Sequence, residues 1–537
     1  MAAKRESTEA VGSVRELGDF QTPAGLVEQV LNVVWHRRTW GRVLEPTCGL
    51  GNFLAAAAER SSGTIEFFGL DLQPAYVAAA RERLRDVTGR VRIEVSDIFR
   101  RNMADLVGSG EGPLLVLGNP PWVTNAAQGA VGAENLPRKS NFKRLSGFDA
   151  QTGAANFDIA EYIILKLVTE LKNLHATVAL LCKTLVARNV LEYAARASLP
   201  LSNAGIYVID ARLWFGASVD ACLFVFDIAQ GTAYEACLYP SLSAAAPSGV
   251  MRVEAGKLVG DASEYNRARI VEGQSPFEWR QGVKHDAAAV MELSRRENGV
   301  FENGLGESVD VEPPWVFPLL KSSDVFNGRV TDARGILITQ TALTDDTASL
   351  RRKAPRLWAY LESHRAQLDG RKSRIYHARP QYSIFGVGPY SFAPYKVLIS
   401  GLYKTPRFTC VGPIGDRPVI ADDTCYFLPF ERPESASAIT ALLRSDIVSA
   451  FLRSVSFTDA KRVVTKRLLQ RIDLSAVAAT VPESFVLAAA AEVFCHLTGR
   501  ALQKRLIRAE LEGLAALQGT KSFASIARGE SEAELTY

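Results

Sequence analysis

The chain has 537 residues, of which 47% are hydrophobic and 22% charged. This composition is typical of a globular protein with room for two to four domains. No uninterrupted apolar run reaches the ~18–20 residues that cross a bilayer, and the charged first twenty residues lack the apolar core of a secretory signal. We therefore expect a cytoplasmic protein without a membrane segment.

The cysteines and histidines exclude two further classes. The seven cysteines are scattered, with no C-x-x-C pair, and the six histidines form no H-E-x-x-H motif. These spacings fit neither a disulfide framework nor a zinc module. We expect no metal.

The charge is unevenly distributed. The net charge is only +4, yet residues 351–470 hold 20 Lys and Arg against 9 Asp and Glu. A basic region of this kind indicates either a polyanionic partner or a solvated basic surface, and charge alone leaves both open.

From about residue 26 to 228, helical and strand-like segments alternate. The predicted helices are LVEQVLNVVWHRR, AAAAER, PAYVAAARERLRDV, IAEYIILKLVTELKN and NVLEYAARASL, and the predicted strands are RVLEP, IEFFGLDL, VRIEVSDI, LLVLGNP, ATVALLCK, GIYVIDA and ACLFVFDIA. This alternation predicts an α/β fold with a Rossmann-like, doubly wound, mostly parallel sheet. Ligands of such sheets bind beyond the carboxyl ends of the strands.

The rest of the chain is predicted as two further regions. The stretch YPSLSAAAPSGVM, which follows residue 238, is rich in small residues and proline and is predicted to be a linker. The predicted domains are therefore 1–240, a mixed α/β domain at 251–480, and a segment at 481–537 that is helical over 485–518 and ends in a polar tail.

The first chemical motif is VLEPTCGLGNFLAAAAER, residues 43–60. A strand leads into a turn with Gly49 and Gly51, and a helix follows. Glycines there allow a sharp turn and a close ligand approach; a plain strand–helix turn is the alternative. Leu54 stands where a dinucleotide site would have its third glycine, and the Gly-Lys-Ser/Thr of a P-loop is absent.

Acidic residues end the next two strands. Asp71 follows FFGL, where a carboxylate can accept from both ribose hydroxyls or simply cap a turn. Asp97 ends the third strand in VSDIF; it can accept from an adenine amino group while Ile98 lies against the ring, or cap its own turn. Each signal alone is weak, but their order along successive strands favours a nucleoside ligand.

The fourth strand runs into Asn-Pro-Pro-Trp in LLVLGNPPWVTN, residues 114–125. Two prolines fix the backbone and remove two N–H donors. Asn-Pro also begins ordinary turns, and tryptophan is a common packing residue. After the three preceding motifs, a rigid catalytic ledge at Asn119–Trp122 is favoured.

These motifs resemble those of gamma-class S-adenosylmethionine-dependent DNA adenine-N6 methyltransferases of restriction–modification systems. The resemblance is carried by DFQTPAGLVEQVL, EPTCGLGNFL, Asp71, SDIF and NPPW and covers the first 230 residues well. It implies S-adenosylmethionine as cofactor. The implied cofactor-binding residues are Thr22, Pro23, Glu45, Cys48, Gly49, Gly51, Asp71, Leu72, Asp97, Ile98 and Asn119.

The resemblance also assigns the catalytic residues. The side-chain oxygen of Asn119 and the carbonyl of Pro120 would hold the amine of an adenine rotated out of duplex DNA, and Pro121 would stiffen the ledge. Trp122 would stack on that base. The family usually has Tyr or Phe at this position, so the larger indole puts the fit of the base in doubt.

The later part resembles, more loosely, a target recognition domain. Through FEWRQGVKHDAAAVMEL, RPQYSIFGVGPYSFAPYKVLISG and TCYFLPF it implies DNA contacts. The implied substrate-binding residues are Phe277, Trp279, Lys284, Arg371, Lys372 and Arg374. For the two aromatics, which would flank the flipped base, ordinary packing is an equally good interpretation.

Two classes of alternative remain. The same ledge serves RNA and protein-glutamine N-methyltransferases, and a non-catalytic DNA-binding subunit can keep the fold. Only about twenty residues precede DFQTP, so we expect modification activity alone, with any endonuclease encoded separately. A chain with its own recognition domain is expected to act as a monomer.

Overall fold

A computed structural model describes residues 21–61, 64–87, 89–123, 158–229, 231–296, 299–331, 334–376, 379–457 and 462–516. The chain divides into two compact units, Met1–Ser263 and Glu264–Tyr537.

The first unit contains ten strands and seven helices among its described residues. The strands are β1 (Arg42–Glu45), β2 (Glu66–Asp71), β3 (Val91–Val95), β4 (Leu114–Gly118), β5 (Ala176–Lys183), β6 (Leu201–Ile209), β7 (Ala221–Ile228), β8 (Glu235–Tyr239), β9 (Gly249–Glu254) and β10 (Lys257–Val259). The helices are α1 (Ala24–Val34), α2 (Asn52–Glu59), α3 (Pro74–Arg83), α4 (Met103–Val107), α5 (Ile159–Glu170), α6 (Thr184–Ala197) and α7 (Ala211–Phe215).

The ten strands form one sheet in the order β10-β9-β8-β6-β7-β5-β4-β1-β2-β3. Strands β3, β2, β1, β4 and β5 are parallel, and β7 runs antiparallel between β5 and β6. Every residue of β1, β4 and β7 is buried, which is why β4 is an unbroken apolar run in the sequence and β7 is interrupted only by Asp227. The predicted mostly parallel α/β sheet is confirmed, and the carboxyl ends of β1 to β5 share one edge.

Helix α1 shows how the sequence builds the core of this unit. It begins directly after Pro23 and buries Leu26, Val30 and Val34, which recur every four residues and so lie on one helical face. These side chains pack with Phe53 of α2 in the same buried cluster. This packing brings the residues before α1 to the helix that follows the glycine turn.

The predicted linker is wrong. YPSLSAAAPSGVM begins at the last residue of β8 and ends within β9, and β8 pairs antiparallel with β9 from Leu238 to Gly249. The stretch therefore connects two strands of the first unit's sheet, and the division between units falls at Ser263. Small residues and prolines occur both in linkers and in the connections of hairpins. The two are distinguished by whether the segments on either side pair as strands.

The second unit is a mixed α/β body. Its strands are β11 (Arg280–Gln281), β12 (Glu292–Arg295), β13 (Phe301–Asn303), β14 (Ser308–Val309), β15 (Val316–Leu320), β16 (Arg334–Leu337), β17 (Tyr395–Ser400), β18 (Phe408–Val411), β19 (Ile420–Ala421) and β20 (Cys425–Phe430). Its helices, the first of which begins just before the boundary, are α8 (Ala262–Ala268), α9 (Ala288–Met291), α10 (Ser322–Asn327), α11 (Leu350–Lys353), α12 (Pro355–Ser363), α13 (Arg365–Asp369), α14 (Pro433–Leu443), α15 (Asp446–Val455), α16 (Lys466–Leu469), α17 (Leu474–Thr480), α18 (Glu483–Thr498) and α19 (Lys504–Ala516).

The strands of the second unit form two sheets. One has the order β11-β20-β17-β18 and the other β14-β13-β12-β16-β15-β19. The helical prediction for 485–518 matches α18 and α19, which are separated after the left-handed Gly499. Helix α18 packs against α14, so the segment that was predicted as a separate C-terminal region belongs to the second unit.

Among the described residues, no single helix is long and apolar enough to cross a membrane. Two sharply bent helix pairs, α14 with α15 and α17 with α18, reach that length only together.

Candidate functional site

The glycine turn joins β1 to α2 at the carboxyl edge of the sheet. Gly49 and Gly51 have φ angles of 48° and 74°, in the left-handed region that favours glycine. A Cβ atom at Gly51 would lie 2.9 Å from the Cβ of Ala80, and one at Gly49 would lie 2.9 Å from the side-chain amide of Gln21. The backbone conformation therefore favours glycine at both positions, and at Gly51 the lack of space requires it as well.

Asp71, at the end of β2, holds this turn in place. Its Oδ2 accepts from the backbone N–H of Gly49 at 2.9 Å, and its Oδ1 accepts from the N–H of Gln73 at 2.9 Å. Leu72 follows with 45% of its surface exposed, which is unusual for a leucine beside a sheet edge. The structure thus brings Asp71 and Leu72 to the glycine turn, and their contacts with a cofactor stay a prediction.

Cys48 contributes to the turn through its backbone and to the core through its side chain. Its N–H donates to the carbonyl of Leu70 at 2.7 Å, and its thiol is buried. Burial raises the pKa of the thiol, and the nearby carboxyl groups of Glu45 and Asp71 raise it further. Cys48 is therefore a neutral packing residue under the turn.

Glu45 is the most unusual polar residue of the edge. The side chain is 97% buried, and its Oε2 has no hydrogen-bond partner among the described residues. The hydroxyl of Thr47 is also buried without a hydrogen-bond partner among the described residues. Burial raises the pKa of the Glu45 carboxyl well above its usual value, and Asp71 adds to the effect. The backbone N–H of Leu54 donates to the carboxyl group and partly offsets the rise. A buried carboxyl oxygen without a donor is costly unless a ligand supplies one.

Residues ahead of α1 also meet the turn. Thr22 is buried, and its carbonyl accepts from Nδ2 of Asn52, the first residue of α2, at 2.9 Å. Pro23 follows as the residue that caps α1. The structure thus places Thr22 beside the first residue of α2, and the contacts of Thr22 and Pro23 with a cofactor stay predictions.

Asp97 and Ile98 follow β3. The Oδ1 of Asp97 accepts from the N–H of Phe99 at 2.8 Å, and Arg100 lies 3.6 Å from its Oδ2. Asp97 therefore caps its own turn, the alternative that the sequence left open, while the remaining acceptor sites of the carboxylate can still serve a ligand. Ile98 is buried and offers little surface for stacking on an adenine ring.

The Asn-Pro-Pro ledge stands beside the glycine turn. Strands β1 and β4 are neighbours in register, with Leu44 opposite Val116. A Cβ atom at Gly118, the last residue of β4, would lie 3.5 Å from Cγ of Glu45. The next two residues are the half-buried Asn119 and the buried Pro120, whose carbonyl accepts no hydrogen bond from the described residues.

Trp122 points inward. Only 8% of its surface is exposed, its Nε1–H donates to the Leu181 carbonyl at 3.2 Å, and its ring meets Phe215 edge-on at 5.2 Å. A tryptophan in this position anchors the ledge to β5. In this structure it has no open ring face for a base, so the predicted stacking role of Trp122 must be corrected to an anchoring one.

Two charged residues that the sequence analysis did not identify, Asp158 and Lys183, connect the start of α5 with the end of β5 at this edge. Asp158 caps α5 by accepting from the N–H of Ala160, and its Oδ2 accepts from Nζ of Lys183 at 2.6 Å. The next residue, Ile159, donates its N–H to the Val123 carbonyl at 3.0 Å. The sequence signal was available, because an aspartate directly before an apolar helical run is a typical cap.

Two aromatic residues of α7, Trp214 and Phe215, were also missed. Both are half-buried on the connection between β6 and β7, and Phe215 contacts Trp122. The signal was two aromatics just after the strand GIYVID, at the same edge as the other motifs. Among the described residues, Phe215 thus contacts the ledge directly, and Trp214 is its neighbour in the chain.

In the second unit, the two predicted base-stacking residues differ in how deeply they are buried. Trp279 is fully buried, with its ring 6.0 Å from that of Phe408. A base cannot reach it in this structure, so its assignment to substrate binding is wrong and packing is its role. Phe277 is half-buried and meets Phe430 edge-on at 5.6 Å, so its contact with DNA stays a prediction.

The predicted phosphate-binding cations also differ in whether their charged groups are already bonded within the protein. Arg371 donates to the carbonyls of Leu368 at 2.8 Å and Ser383 at 2.7 Å and stacks on the ring of Tyr376. Its guanidinium is used for loop structure, which contradicts the predicted phosphate contact. Lys284 lies 3.6 Å from Asp286, and Lys372 is exposed. The side chain of Arg374 lies outside the described residues.

Much of the basic excess at 351–470 is paired within the second unit. Arg462 pairs with Asp423 and Lys466 with Glu278. Several exposed cations make no ion pair with the described residues; they are Arg352, Lys372, Lys404, Arg407 and Arg467. These side chains are among those available to a polyanion.

One group of side chains in the second unit has metal-ligand chemistry. Ligand atoms of His285, Glu292 and Asp422 lie within 4.8 Å of one another. However, Nζ of Lys321 lies 2.5 Å from Glu292, and Nδ1 of His285 accepts from the Ala287 N–H. Nε2 of His285 lies 3.4 Å from Glu292, so the arrangement is better explained as a network of hydrogen bonds and ion pairs around Glu292.

Comparisons with known proteins place these observations in a family. The chain is 40% identical over 477 residues to the type II methyltransferase M.NspV of Nostoc sp. (strain ATCC 29411 / PCC 7524), a match that spans 87% of this chain and 98% of that protein. No family model matches the chain. The chain belongs to the type II methyltransferases of restriction–modification systems. Its methyl donor is S-adenosylmethionine and its substrate class is DNA.

Solved structures support the fold. The type IIL restriction–modification enzyme MmeI, solved in complex with DNA, aligns over 91% of this methyltransferase and 74% of its own chain with a TM-score of 0.53 and 12% identity. The M protein of the type I restriction enzyme EcoKI aligns over 41% of this chain and 48% of its own, at 12% identity and a TM-score of 0.28, which is too low to carry an argument.

Proposed function

We propose that this methyltransferase modifies the N6 amino group of adenine in duplex DNA at a specific sequence. The observation that carries the proposal is the ledge: Asn119 and Pro120 follow β4 at the carboxyl edge, and Gly118 packs against Glu45 at the start of the glycine turn. The acceptor ledge and the proposed cofactor site are thus adjacent strand ends.

The ledge suits an aromatic amine. The lone pair on N6 is delocalised into the adenine ring, so the amine is a poor nucleophile. If Asn119 Oδ1 and the Pro120 carbonyl accept its two N–H groups, the nitrogen is held closer to a tetrahedral geometry and its lone pair is freed for attack. The two prolines make these acceptors rigid, which keeps reorganisation at the transition state small.

The residues around the glycine turn fit S-adenosylmethionine. The buried oxygens of Glu45 and Thr47 lack protein partners among the described residues, and an amino-acid ammonium group would satisfy the carboxylate. In this proposal Asp71 accepts from ribose hydroxyls, Leu72 lies against the adenine ring and Asp97 accepts from its amino group, whereas the buried Ile98 supports the site from below. When bound, this cofactor supplies a methyl group on a sulfonium, so no covalent protein intermediate is needed.

The target adenine must leave the duplex to reach the ledge, at a cost of a few kcal/mol. Stacking on an aromatic side chain returns about 1–3 kcal/mol per base. Because Trp122 is buried, we propose the half-buried aromatics of α7, Trp214 or Phe215, for this contact. The second unit is proposed as the target recognition domain, with exposed cations such as Lys372 on the phosphates.

The test is product identification. The full chain is incubated with tritiated S-adenosylmethionine and unmethylated duplex DNA, and the nucleosides are separated after digestion. Label in N6-methyladenine supports the proposal. Label in N4-methylcytosine changes the target base, and label only in RNA or in a protein glutamine supports the alternative substrates.

Asn119→Ala tests the ledge. It should lower transfer by about 10²-fold or more, because one fixed acceptor of the transition state is lost, while S-adenosylmethionine binding stays near that of the wild type. Asn32→Ala, an exposed asparagine on α1, is the matched control. Near-normal turnover in Asn119→Ala would contradict the mechanism, and no transfer by the wild type on any polymer would favour a non-catalytic subunit.

We further propose that the chain is the modification component alone, acts as a monomer in the cytoplasm, and works beside a separately encoded endonuclease. The only metal-ligand group among the described residues is engaged with Lys321, which offers no support for a metal-dependent nuclease in that part of the chain. Sedimentation of the purified chain and a DNA-cleavage assay with Mg²⁺ test these statements.

A further inference from the structure

Helix α7 presents an exposed leucine beside the ledge. Leu213 is 72% exposed, the largest exposure among the large apolar residues of the described chain. Three more exposed apolar residues belong to the same edge, and we call the four together the apolar rim: Leu185, Val208, Leu213 and Val219.

The strand register brings the rim together. Ala221 at the start of β7 pairs with Lys183 at the end of β5 and with Ile209 at the end of β6. Leu185 and Val208 lie within two residues of these paired strand ends, and Val219 lies just before β7. Leu213 is in the connection between β6 and β7. The rim therefore occupies three adjacent strand ends next to β4.

The helix that carries Leu213 is firmly held. At its start, Asp210 Oδ1 accepts from the N–H groups of Arg212 at 3.0 Å and Leu213 at 2.9 Å. At its end, the left-handed Gly216 donates its N–H to the Arg212 carbonyl. Holding Leu213 in place therefore costs little conformational entropy when it binds a partner.

The two aromatics of α7 anchor it on the other side. Phe215 meets Trp122 of the ledge edge-on, and Trp214 lies against Gly25 at the start of α1, 3.5 Å from the position of a Cβ there. Arg212, next to Leu213, is exposed and makes no ion pair with the described residues. The outward face of α7 thus combines one apolar side chain with one available cation.

We propose that α7 enters the duplex when the target base is extruded. Leu213 packs against the base stack at the position that the adenine leaves, and Arg212 binds a neighbouring phosphate. Apolar side chains inserted at base steps are a known way to stabilise unstacked DNA. This inference rests on the proposed base-flipping function.

The test uses a duplex oligonucleotide that carries the sequence found by product mapping. In one version adenine is paired with thymine, in a second it faces a mismatched base, and in a third 2-aminopurine replaces it to report extrusion by fluorescence. Leu213→Ala is compared with Ile270→Ala, which removes a side chain of similar exposure, 62%, in the second unit.

Leu213→Ala should lower the single-turnover rate on the paired duplex by about tenfold and reduce the 2-aminopurine signal, while the mismatched duplex, which is already unpaired, should restore most of the rate. Ile270→Ala should match the wild type on both. Arg212→Ala should weaken DNA binding and flatten its salt dependence.

An equal loss on both duplexes, or no loss on the paired one, would overturn the role of α7 while leaving adenine methylation intact. A changed oligomeric state of Leu213→Ala with normal base extrusion would identify the rim as a contact between copies of the chain. Absence of adenine methylation by the wild type would instead refute the proposed function itself.

Discussion

The candidate site of the first unit and the ion pairs of the second unit hold their carboxyl groups differently. At the sheet edge of the first unit, Oε2 of Glu45 and the Thr47 hydroxyl are buried without protein partners among the described residues. In the second unit, the buried carboxyl of Glu292 pairs with Lys321, and Glu272 pairs with Arg471. The proposed reaction site thus keeps buried polar groups ready for a ligand, whereas the proposed recognition domain pairs these carboxyl groups internally and leaves selected cations at its surface.

The largest expected effect tests the interior of the second unit. Trp279→Ala should lower the free energy of unfolding by about 3–5 kcal/mol, because it removes a fully buried indole and leaves a cavity. Chemical denaturation of the full chain measures this effect. Phe277→Ala, at a half-buried neighbour, should cost clearly less. A stable Trp279→Ala protein with weakened DNA binding would restore the recognition role that burial excludes.

The next effect tests the edge of the first unit. Asp71→Ala should raise the dissociation constant for S-adenosylmethionine by about 10- to 100-fold, since two backbone N–H groups of the turn lose their charged acceptor. Asp71→Asn keeps one acceptor oxygen and should lose less. Calorimetric titration provides the values, and Asp86→Ala, an exposed acid after α3, is the control. Unchanged affinity in Asp71→Ala would remove this residue from the cofactor site.

A smaller effect concerns the pH dependence of folding stability. The folded, ligand-free chain holds a proton on Glu45 more tightly than the unfolded chain does, because burial raises its pKa above 4.5. Its contribution to stability therefore falls as the pH rises from 4.5 through that raised pKa. Glu45→Gln should remove this fall and stabilise the ligand-free protein at neutral pH by about 1 kcal/mol.

Cofactor binding should show the opposite dependence. If the ionised Glu45 holds the ammonium group, affinity for S-adenosylmethionine rises with pH across the same range, and Glu45→Gln is both weaker and nearly independent of pH. Thermal shifts with and without cofactor at several pH values measure both effects. A Glu45→Gln protein with wild-type affinity at all pH values would show that the carboxyl is structural.

The smallest effect distinguishes two neighbouring cations of the second unit. Lys372→Ala should reduce the salt dependence of DNA binding by about one phosphate contact without changing stability. Arg371→Ala should instead destabilise the unit, because its guanidinium is bonded to backbone carbonyls. Fluorescence anisotropy at several salt concentrations, alongside denaturation, separates the two outcomes. The reverse pattern would mean that Arg371, rather than Lys372, faces DNA.

The sequence could predict the candidate site of the first unit better than the packing of the second unit. In a parallel sheet the carboxyl ends of the strands share one edge, so residues that follow successive strands must meet there. Glu45, Asp71 and Asn119 could therefore be brought together without coordinates. The burial of Trp279 and the hydrogen bonds of Arg371 depend on which distant segments pack over them, and no local pattern contains that information.

The amino-acid sequence by itself determined the order of strands and helices in the first unit, the turn that requires Gly49 and Gly51, and the rigid ledge after β4. These features depend on local backbone restrictions and on the period of apolar residues. Only the tertiary structure decided that Trp122 faces the interior, that the predicted linker is a hairpin connection, and that α7 presents Leu213 at the carboxyl edge of the sheet. Burial and pairing are properties of segments far apart in the chain, and they are fixed only when those segments pack together.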